Sequence, residues 1–369
     1  MPKFFIMGDR QMMYLTVSII EHPDFGGFID DSAATFDYMQ KSRSSVSSKT
    51  ISFKNFLRFS KIHSAILVCY YNELVGAVVL AQHLSELSTS FNFKVLNFYE
   101  FVVEYDFKLL YEGAQFHRSA TLAQADAWRV MAAKLSDDFS RSSVGAYLRA
   151  LEMMSMSEML PFVTPFEFEG FNKHSRHFSF VPGDDEIYVD VGAFDGDTVA
   201  KFIEATPSGN YRRIHAFEPS TQSYQKLKAK AEWIPRLDTY QLALSDRNGA
   251  IDFLTEGSSM GARFASGTEG PEVSKVSVNA ARLDFVVDEA TFVKVDVEGF
   301  ECDVVNGGRD LIKRCTPDLV IDTYHYANDA LKVYETVMSL HEYQYVSMRF
   351  PHAHLHAHSL YFSDRQCLD

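Results

Sequence analysis

Residues 187–198 read IYVDVGAFDGDT, and this stretch decides the fold. An apolar strand runs into a turn that contains Gly192 and Gly196, and a helix begins directly after it. Glycine lets the backbone of such a turn pass close to a ligand, because it has no Cβ atom. The acids Asp190 and Asp195 at the end of the strand favour a cationic or hydroxyl-rich ligand over the pyrophosphate of a dinucleotide.

The next predicted strand ends in HAFEPS, residues 215–220, and places Glu218 about 20 residues after the glycine turn. An acid at this position typically accepts hydrogen bonds from both hydroxyl groups of a ribose. Its alternative role is to complement the dipole of the helix that begins at Pro219 and Ser220. The spacing from the glycine turn favours the ribose. S-adenosylmethionine, with an ammonium, a sulfonium and a ribose diol, fits both sets of acids.

Two further strand ends carry acids. After the third strand, Ser245 and Asp246 stand where Asp246 either accepts from an adenine amino group or forms an ordinary turn. The fourth strand ends in VDVEGFE, residues 295–301. Asp296 emerges there at the active edge, where it could hold an ammonium group, position a hydroxyl or act as a base. Glu301 is equally well explained as a charge in the first turn of a helix.

Seven apolar stretches after residue 186 predict the strands of one sheet, with helical patterns between the early ones. They span residues 187–191, 213–217, 239–244, 292–297, 319–323, 343–349 and 359–362. A mostly parallel sheet that ends in an antiparallel hairpin has this order. The predicted fold class is therefore α/β, with the seven-stranded sheet of a class I, Rossmann-like methyltransferase.

The first part of the chain alternates apolar runs with helical patterns, which is typical of parallel β-α-β units. Gly8 follows the first run, but a single glycine there indicates a turn more strongly than a phosphate site. Helical periodicity follows, and prolines and glycines then mark a connector. We predict a smaller N-terminal Rossmann-like α/β domain over residues 1–118, a helical connector over 119–183 and the methyltransferase domain over 184–369.

The composition disfavours several classes of protein. The chain has 35 Lys and Arg against 49 Asp and Glu, a net charge of −14, and no basic run that would neutralise consecutive phosphates, so no nucleic-acid partner is expected. Its four cysteines are scattered, which predicts reduced thiols in a cytoplasmic protein. Polar residues interrupt the apolar stretch at 65–84, so no membrane span is expected.

The motifs VDVGAFDGDT, AFEPS, LALSD and KVDVEGFE occur in this order. As a set, and over residues 135–362, they resemble the FkbM family of S-adenosylmethionine-dependent methyltransferases. The resemblance implies S-adenosyl-L-methionine as cofactor and methylation of a hydroxyl on a saccharide or polyketide-like acceptor. It also implies that Glu218 binds the ribose diol and that Asp296 lies at the reaction centre. The residues assigned to the cofactor are Asp190, Gly192, Ala193, Asp195, Gly196, Thr198, Glu218, Ser245, Asp246 and Asp296.

The fifth strand reads DLVIDTYH, residues 318–325, where many relatives carry a glutamate near Asp322. Asp322 and His325 are both predicted near the catalytic edge, and the ordinary pKa of an imidazole suits it to deprotonate a hydroxyl near neutral pH. The catalytic candidates are therefore Asp296, His325 and Asp322. The departure from the family pattern leaves the identity of the base open.

Four histidines alternate along PHAHLHAH, residues 351–358. An extended chain would place them on one face, where they could bind a metal. The segment precedes the last strand, however, and relatives often carry an arginine like Arg349 there, followed by a histidine or tyrosine. We expect a mobile loop on the acceptor side of the sheet, without a bound metal.

Two other functions stay open from the sequence alone. A degenerate methyltransferase fold could bind a nucleotide sugar or act as a scaffold, although the intact Asp190, Gly192 and Glu218 argue against this. A metal-dependent O-methyltransferase could use Asp296, Asp322 and a histidine as ligands, and sensitivity to chelators would distinguish it. The sequence is compatible with a homodimer and does not identify the acceptor.

Overall fold

The chain divides into two compact units in the computed structural model. One comprises Met1–Leu122, Ala146–Phe166 and His352–His356, and the other comprises Ala123–Gly145, Glu167–Pro351 and Ala357–Asp369. The three-part division at residues 118 and 183 stays a prediction. The residues that the structure describes are 2–8, 22–29, 50–70, 84, 86–97, 101, 112–153, 158–162, 182–206, 209–255, 263–264, 274–350 and 358–365.

The first unit contains a five-stranded parallel sheet. Its strands are β1 Lys3–Gly8, β2 Phe25–Ile29, β3 Thr50–Ile51, β4 Ala65–Tyr70 and β5 Phe93–Asn97. Their order in the sheet is β3-β2-β1-β4-β5, the order of a Rossmann-like fold. Helix α1, Phe53–Ser60, begins at Ser52, whose hydroxyl accepts the N–H of Asn55, and buries Phe56 against Phe5.

Three helices follow the first sheet along the chain. They are α2 Glu112–Ala123, α3 Ala125–Ala132 and α4 Asp138–Met153. The helical periodicity predicted for this segment is therefore confirmed. On α3, the fully buried Trp128 donates its indole N–H to the side chain of Asn328 at 2.9 Å, so α3 packs within the second unit.

The second unit alternates strands and helices from residue 187 onward. Its strands are β6 Ile187–Val191, β7 Arg213–Phe217, β8 Leu237–Tyr240, β9 Ala243–Leu244, β10 Gly249–Thr255, β11 Arg263–Phe264, β12 Ser274–Ala281, β13 Phe292–Val295, β14 Asp318–Asp322, β15 Tyr345–Arg349 and β16 Ser359–Ser363. Its helices after β6 are α5 Asp197–Ala205, α6 Thr221–Ala231, α7 Leu283–Val286, α8 Glu301–Gly307, α9 Arg309–Cys315 and α10 Asp329–Leu340. Within the described part of the chain, no helix combines the length and apolar character that a membrane span needs.

Seven of these strands form one sheet in the order β15-β16-β14-β13-β6-β7-β8. Strand β16 is antiparallel to both of its neighbours, so β15 runs in the same direction as the remaining strands. This confirms the predicted parallel sheet with a closing hairpin. Stacked aromatic rings of Tyr188, Phe202 and Phe292 fill the core beneath it. The carboxyl ends of β6, β7, β13 and β14 consequently meet at one edge.

Residues 239–281 differ from the sequence prediction. The single strand expected at 239–244 is divided into β8, in the large sheet, and β9, in a second sheet of four strands ordered β11-β10-β12-β9. Strand β10 pairs with β12 in antiparallel register from Gly249 to Thr255. The apolar residues of β12 alternate with Ser277 and Asn279 and are small, so the hydrophobic signal of this sheet is weak.

Candidate active site

The turn after β6 lies directly against the turn after β13. Gly192 has a φ of +80°, and the N–H groups of Gly192 and Ala193 both donate to the carbonyl of Phe217 at the end of β7. A Cβ atom on Gly192 would stand 1.8 Å from the carbonyl oxygen of Asp296. The close approach of two strand ends therefore requires glycine here, independently of any ligand.

Glu218 joins the same turn to the end of β7. The buried carboxylate accepts the N–H of Phe194 at 3.0 Å on one oxygen and the N–H of Ser220 at 2.8 Å on the other. Burial raises the pKa of Glu218 to about 7, although the two amides and Lys294 favour the ionised form. Each carboxylate oxygen can accept a further hydrogen bond, so the group can also accept from a hydroxyl.

Asp190 lies beneath the turn. It is fully buried and accepts a 2.5 Å hydrogen bond from the hydroxyl of Thr198, and burial raises the pKa of Asp190. The ammonium of Lys294 lies 3.6 Å from Asp190 and 3.8 Å from Asp296, and it donates to the carbonyl of Gly192 at 3.1 Å. A buried cation thus connects the predicted cofactor side of the site to the predicted acceptor side.

Three acids surround His325 where β13 and β14 end. Its Nδ1 atom lies 2.9 Å from Oε1 of Glu301. Its Nε2 atom lies 3.4 Å from Oδ1 of Asp296 and 3.5 Å from Oε2 of Glu298. Glu301 is buried, whereas Asp296 and Glu298 are partly exposed. This group of four residues is called the His325 cluster below.

The loop that carries these acids has a left-handed backbone. Glu298 has a φ of +57° and Gly299 a φ of +102°, and for a residue with a Cβ atom this region costs about 1–2 kcal/mol. Oε1 of Glu301 accepts the N–H groups of Val297 and Gly299, both at 3.2 Å. A Cβ atom on Gly299 would meet the ring of Tyr326 at 2.0 Å. Hydrogen bonds from within and packing from outside therefore hold the loop in place.

The acids also determine the protonation of His325. Burial alone would lower the pKa of this imidazole, but Glu301, Asp296 and Glu298 raise it to about 10. Near neutral pH the ring therefore carries a proton unless another cation offsets the carboxylates. The sequence predicts that a neutral His325 acts as the base, and this role requires a further cation beside the three carboxylates.

The remaining residues assigned to the cofactor lie around the glycine turn or after β9. Asp195 forms a 3.0 Å ion pair with Lys230, and Gly196 starts α5 with a φ of +85°. Ser245 is buried after β9 and donates to the exposed Asp246 at 3.2 Å. Their predicted contacts with a cofactor stay predictions.

Asp322 is placed differently from the other two catalytic candidates. It is buried at the end of β14, where its carboxylate accepts a hydrogen bond from the hydroxyl of Ser359. Among the described residues, the group whose metal-capable atoms all lie within 4.8 Å of one another contains Asp296, Glu301 and His325. The metal-ligand set predicted from the sequence, which includes Asp322, thus differs from the group that the structure brings together. The catalytic role of Asp322 stays a prediction.

The histidine run lies outside the described residues except for His358. This residue is buried, and its Nδ1 atom lies 2.7 Å from the hydroxyl of Thr323. Arg349 is also buried and contacts Asp137 and Ser140 through its guanidinium group. Arg349, which precedes the run, and His358, its last residue, are therefore both buried, and the expected acceptor-side loop without metal stays a prediction.

Sequence reasoning missed the parts played by Lys294, Glu298 and Glu301. The spacing of three acids in DVEGFE was visible, and an acid that follows a strand end by three residues was a usable signal for Glu298. Lys294 is an isolated lysine in an apolar strand, which signals a buried partner because an unpaired buried charge is costly. Nothing local indicates that Glu301 contacts His325, 24 residues further along the chain.

Comparisons with known proteins find similar methyltransferases. Residues 190–347 match the family model described as the methyltransferase FkbM domain. The chain is 26% identical over 202 residues to the 2-O-methyltransferase NoeI of Sinorhizobium fredii (strain NBRC 101917 / NGR234), a match that covers 46% of this chain and 78% of NoeI. A crystal structure of methyltransferase FkbM from Methylobacillus flagellatus KT is similar with a TM-score of 0.67 and 18% identity, covering 98% of this chain and 90% of that chain.

The fold is that of a class I, Rossmann-like methyltransferase. The family match adds that residues 190–347 match the methyltransferase FkbM domain. The prediction of a methyltransferase of this family is confirmed.

Proposed function

We propose that this protein transfers the methyl group of S-adenosyl-L-methionine to a hydroxyl oxygen of a saccharide or polyketide-like small molecule. The observation that carries the proposal is that the Gly192 turn, Glu218 and Asp296 follow three adjacent parallel strands. Ligands of open α/β sheets bind outside this edge. The similarity to a 2-O-methyltransferase supports oxygen as the atom that receives the methyl group.

The residues at this edge fit the cofactor. Glu218 is held by two backbone amides and can still accept from the ribose hydroxyls. The acids Asp195 and Asp296, both partly exposed, offer acceptors to the ammonium group. S-adenosyl-L-methionine supplies an electrophilic methyl group next to its sulfonium. The Gly192 turn, fixed by its bonds to Phe217, provides the surface over which the cofactor lies.

The acceptor hydroxyl is placed beside Asp296 and His325. Transfer breaks the bond between sulfur and the methyl carbon, leaves the electron pair on sulfur as S-adenosylhomocysteine, and forms a bond between the carbon and the acceptor oxygen. The hydroxyl proton leaves to the His325 cluster or to water. Because the sulfonium is already a strong electrophile, the protein contributes chiefly by holding the oxygen in line with the methyl group.

One of the other functions considered from the sequence is less well supported. The family match does not favour a nucleotide-sugar binding or scaffolding protein with a degenerate fold. A homodimer, a cytoplasmic location and the absence of a nucleic-acid partner stay predictions.

Calorimetry with S-adenosylhomocysteine tests the cofactor assignment. Ribose hydroxyls donate to the ionised form of Glu218, so binding should release a proton, and affinity should fall by up to about tenfold per pH unit below pH 7. Lys294 and Asp190 also face this carboxylate, and they do so both in the free protein and in the complex with S-adenosylhomocysteine.

Glu218→Gln is expected to weaken binding by about 1.5–3 kcal/mol and to remove this pH dependence. The matched control is Glu204→Gln, which changes an exposed acid on α5 and should behave as the wild type. Unchanged affinity and pH dependence in Glu218→Gln would show that the ribose does not bind there.

A further inference from the structure

The Nε2 atom of His325 faces two carboxylates without forming a hydrogen bond to either. The imidazole is 8% exposed, and its buried Nε2 atom has no hydrogen-bond partner among the residues that the structure describes. Its distances of 3.4 Å to Asp296 and 3.5 Å to Glu298 exceed the usual length of an N–H···O bond, which is about 2.7–3.2 Å. A buried imidazole that stands back from two acids in this way indicates that something belongs between the three groups.

The two separations measured from Nε2 agree with those of atoms that share one metal ion. Ligands bound about 2.1 Å from an ion stand roughly 3.0 Å apart at right angles and roughly 3.4 Å apart at tetrahedral angles. We propose that Nε2 of His325 and Oδ1 of Asp296 bind a divalent first-row transition ion, and that the partly exposed carboxylate of Glu298, now 3.5 Å from Nε2, moves in as the third ligand. This inference deepens the proposed methyl transfer, on which it rests, by placing a metal on the acceptor side of the site.

Glu301 does not bind the ion in this proposal but orients the imidazole of His325. Its Oε1 atom already accepts two backbone N–H groups and lies at hydrogen-bond distance, 2.9 Å, from Nδ1 of His325, although the ring is not ideally aligned with it. Histidines that bind metals almost always direct their other ring nitrogen at a carboxylate or carbonyl, which fixes the tautomer. Glu301 thus leaves Nε2 as the nitrogen available to the ion.

The surroundings of Asp296 and Glu298 also suit a cation. The ammonium of Lys294 approaches Oδ2 of Asp296, which leaves Oδ1 turned towards His325. Both acids are partly exposed, so an ion can reach them from solvent. The left-handed backbone at Glu298, in a loop whose glycine contacts Tyr326, keeps that carboxylate near the imidazole before any ion arrives.

One imidazole and two carboxylates favour manganese, iron or zinc over calcium, whose ligands are oxygen atoms. Three protein ligands leave coordination positions for oxygen atoms of the acceptor. A bound ion supplies a Lewis acid that holds a hydroxyl and lowers its pKa. A vicinal diol, as saccharides contain, is the acceptor group that such a site recognises best.

The test is a titration of the chelator-treated, full-length protein with MnCl₂, followed by calorimetry and by the loss of the electron paramagnetic resonance signal of free Mn²⁺. We expect one ion per chain, with affinity at least about tenfold weaker in His325→Gln and in Glu298→Gln. Glu335→Gln, which changes an exposed acid on α10, is the control and should bind Mn²⁺ as the wild type does.

Absence of Mn²⁺ binding to the wild type, or unchanged affinity in both variants, would overturn the inference. Melting curves without metal show whether the variants are folded. If either is not, anomalous scattering from wild-type crystals soaked in MnCl₂ decides: a peak beside Nε2 of His325 supports the site, and peaks elsewhere alone refute it. Calorimetry with S-adenosylhomocysteine on the same sample separates the two proposals. If the protein binds this ligand but not Mn²⁺, only the metal site is refuted and the proposed methyl transfer stands.

Discussion

Two groups of acids lie at opposite edges of the large sheet and are built in opposite ways. At the amino edge, the guanidinium of Arg365 lies 2.6 Å from Glu186 and 3.1 Å from Asp318, both of which are buried. Thr291 also donates to Glu186. Although burial alone would raise the pKa of Glu186, the hydrogen bonds and the charge of Arg365 hold it below its ordinary value.

At the carboxyl edge, three acids share one imidazole, and two of them stand at distances that exceed a hydrogen bond. The amino-edge group is closed, because its charges are paired at contact distance and the pairing supports the fold. The His325 cluster is open, because Asp296 and Glu298 stand 3.4 Å and 3.5 Å from the imidazole, beyond the usual length of a hydrogen bond. Acids that stabilise the structure and acids that serve a ligand can therefore be told apart by how closely their partners approach.

The largest effect is expected from a change at the open edge. Asp296→Asn should lower the single-turnover rate of methyl transfer by about 10²–10⁴-fold, because the variant loses the charge beside the acceptor. The melting temperature should change little, since Asp296 is partly exposed. Rapid-quench measurements with labelled S-adenosylmethionine give the single-turnover rate, and thermal melting gives the melting temperature. Wild-type turnover in Asp296→Asn would show that this acid takes no part in transfer.

Asp322→Asn is the matched comparison on the next strand. The buried Asp322 accepts a hydrogen bond from Ser359, so this change should affect stability more than turnover. A fall in turnover as large as that of Asp296→Asn, in a folded protein, would support the catalytic role of Asp322 predicted from the sequence.

A smaller effect, on stability alone, is expected at the closed edge. Arg365→Met leaves Glu186 and Asp318 without their cation, and removing one partner of a buried pair costs about 3–5 kcal/mol. Arg365 is half-exposed, so we expect about 2–3 kcal/mol, measured by urea unfolding of the second unit.

The loss should be greatest near neutral pH. The lowered pKa of Glu186 contributes stability above its unfolded value, and that contribution disappears as the pH falls and the carboxylate takes up a proton. The difference between Arg365→Met and the wild type should therefore narrow in acid. An equal loss at all pH values would contradict the assignment of Arg365 as the partner of these acids.

Much of the large sheet could be predicted from the sequence because its strands are continuous apolar runs. Strands β6, β13 and β14 are buried on both faces, and such strands stand out between helical patterns. The glycine turn and Glu218 were predictable for the same reason, since each directly follows a strand end. The parallel order then brings them to one edge.

The rest depends on contacts between distant parts of the chain. The four-stranded sheet over residues 243–281 is built from short stretches in which apolar and polar residues alternate, and these stand out less than the continuous apolar runs of the large sheet. Glu301 was explained equally well as a helix charge, and only the tertiary structure places it against His325. The left-handed backbone of Glu298 has no sequence signature, because a residue other than glycine adopts it under constraint from its surroundings.

Transfer of a carbon-13 methyl group tests the central claim most directly. The purified protein is incubated with methyl-labelled S-adenosylmethionine and a panel of monosaccharides, oligosaccharides and hydroxylated polyketides, and the products are examined by mass spectrometry and NMR. The account predicts a labelled methoxy carbon on one hydroxyl position of an acceptor, formed by the wild type and strongly reduced in Asp296→Asn. A label attached to nitrogen or carbon in the product would contradict it.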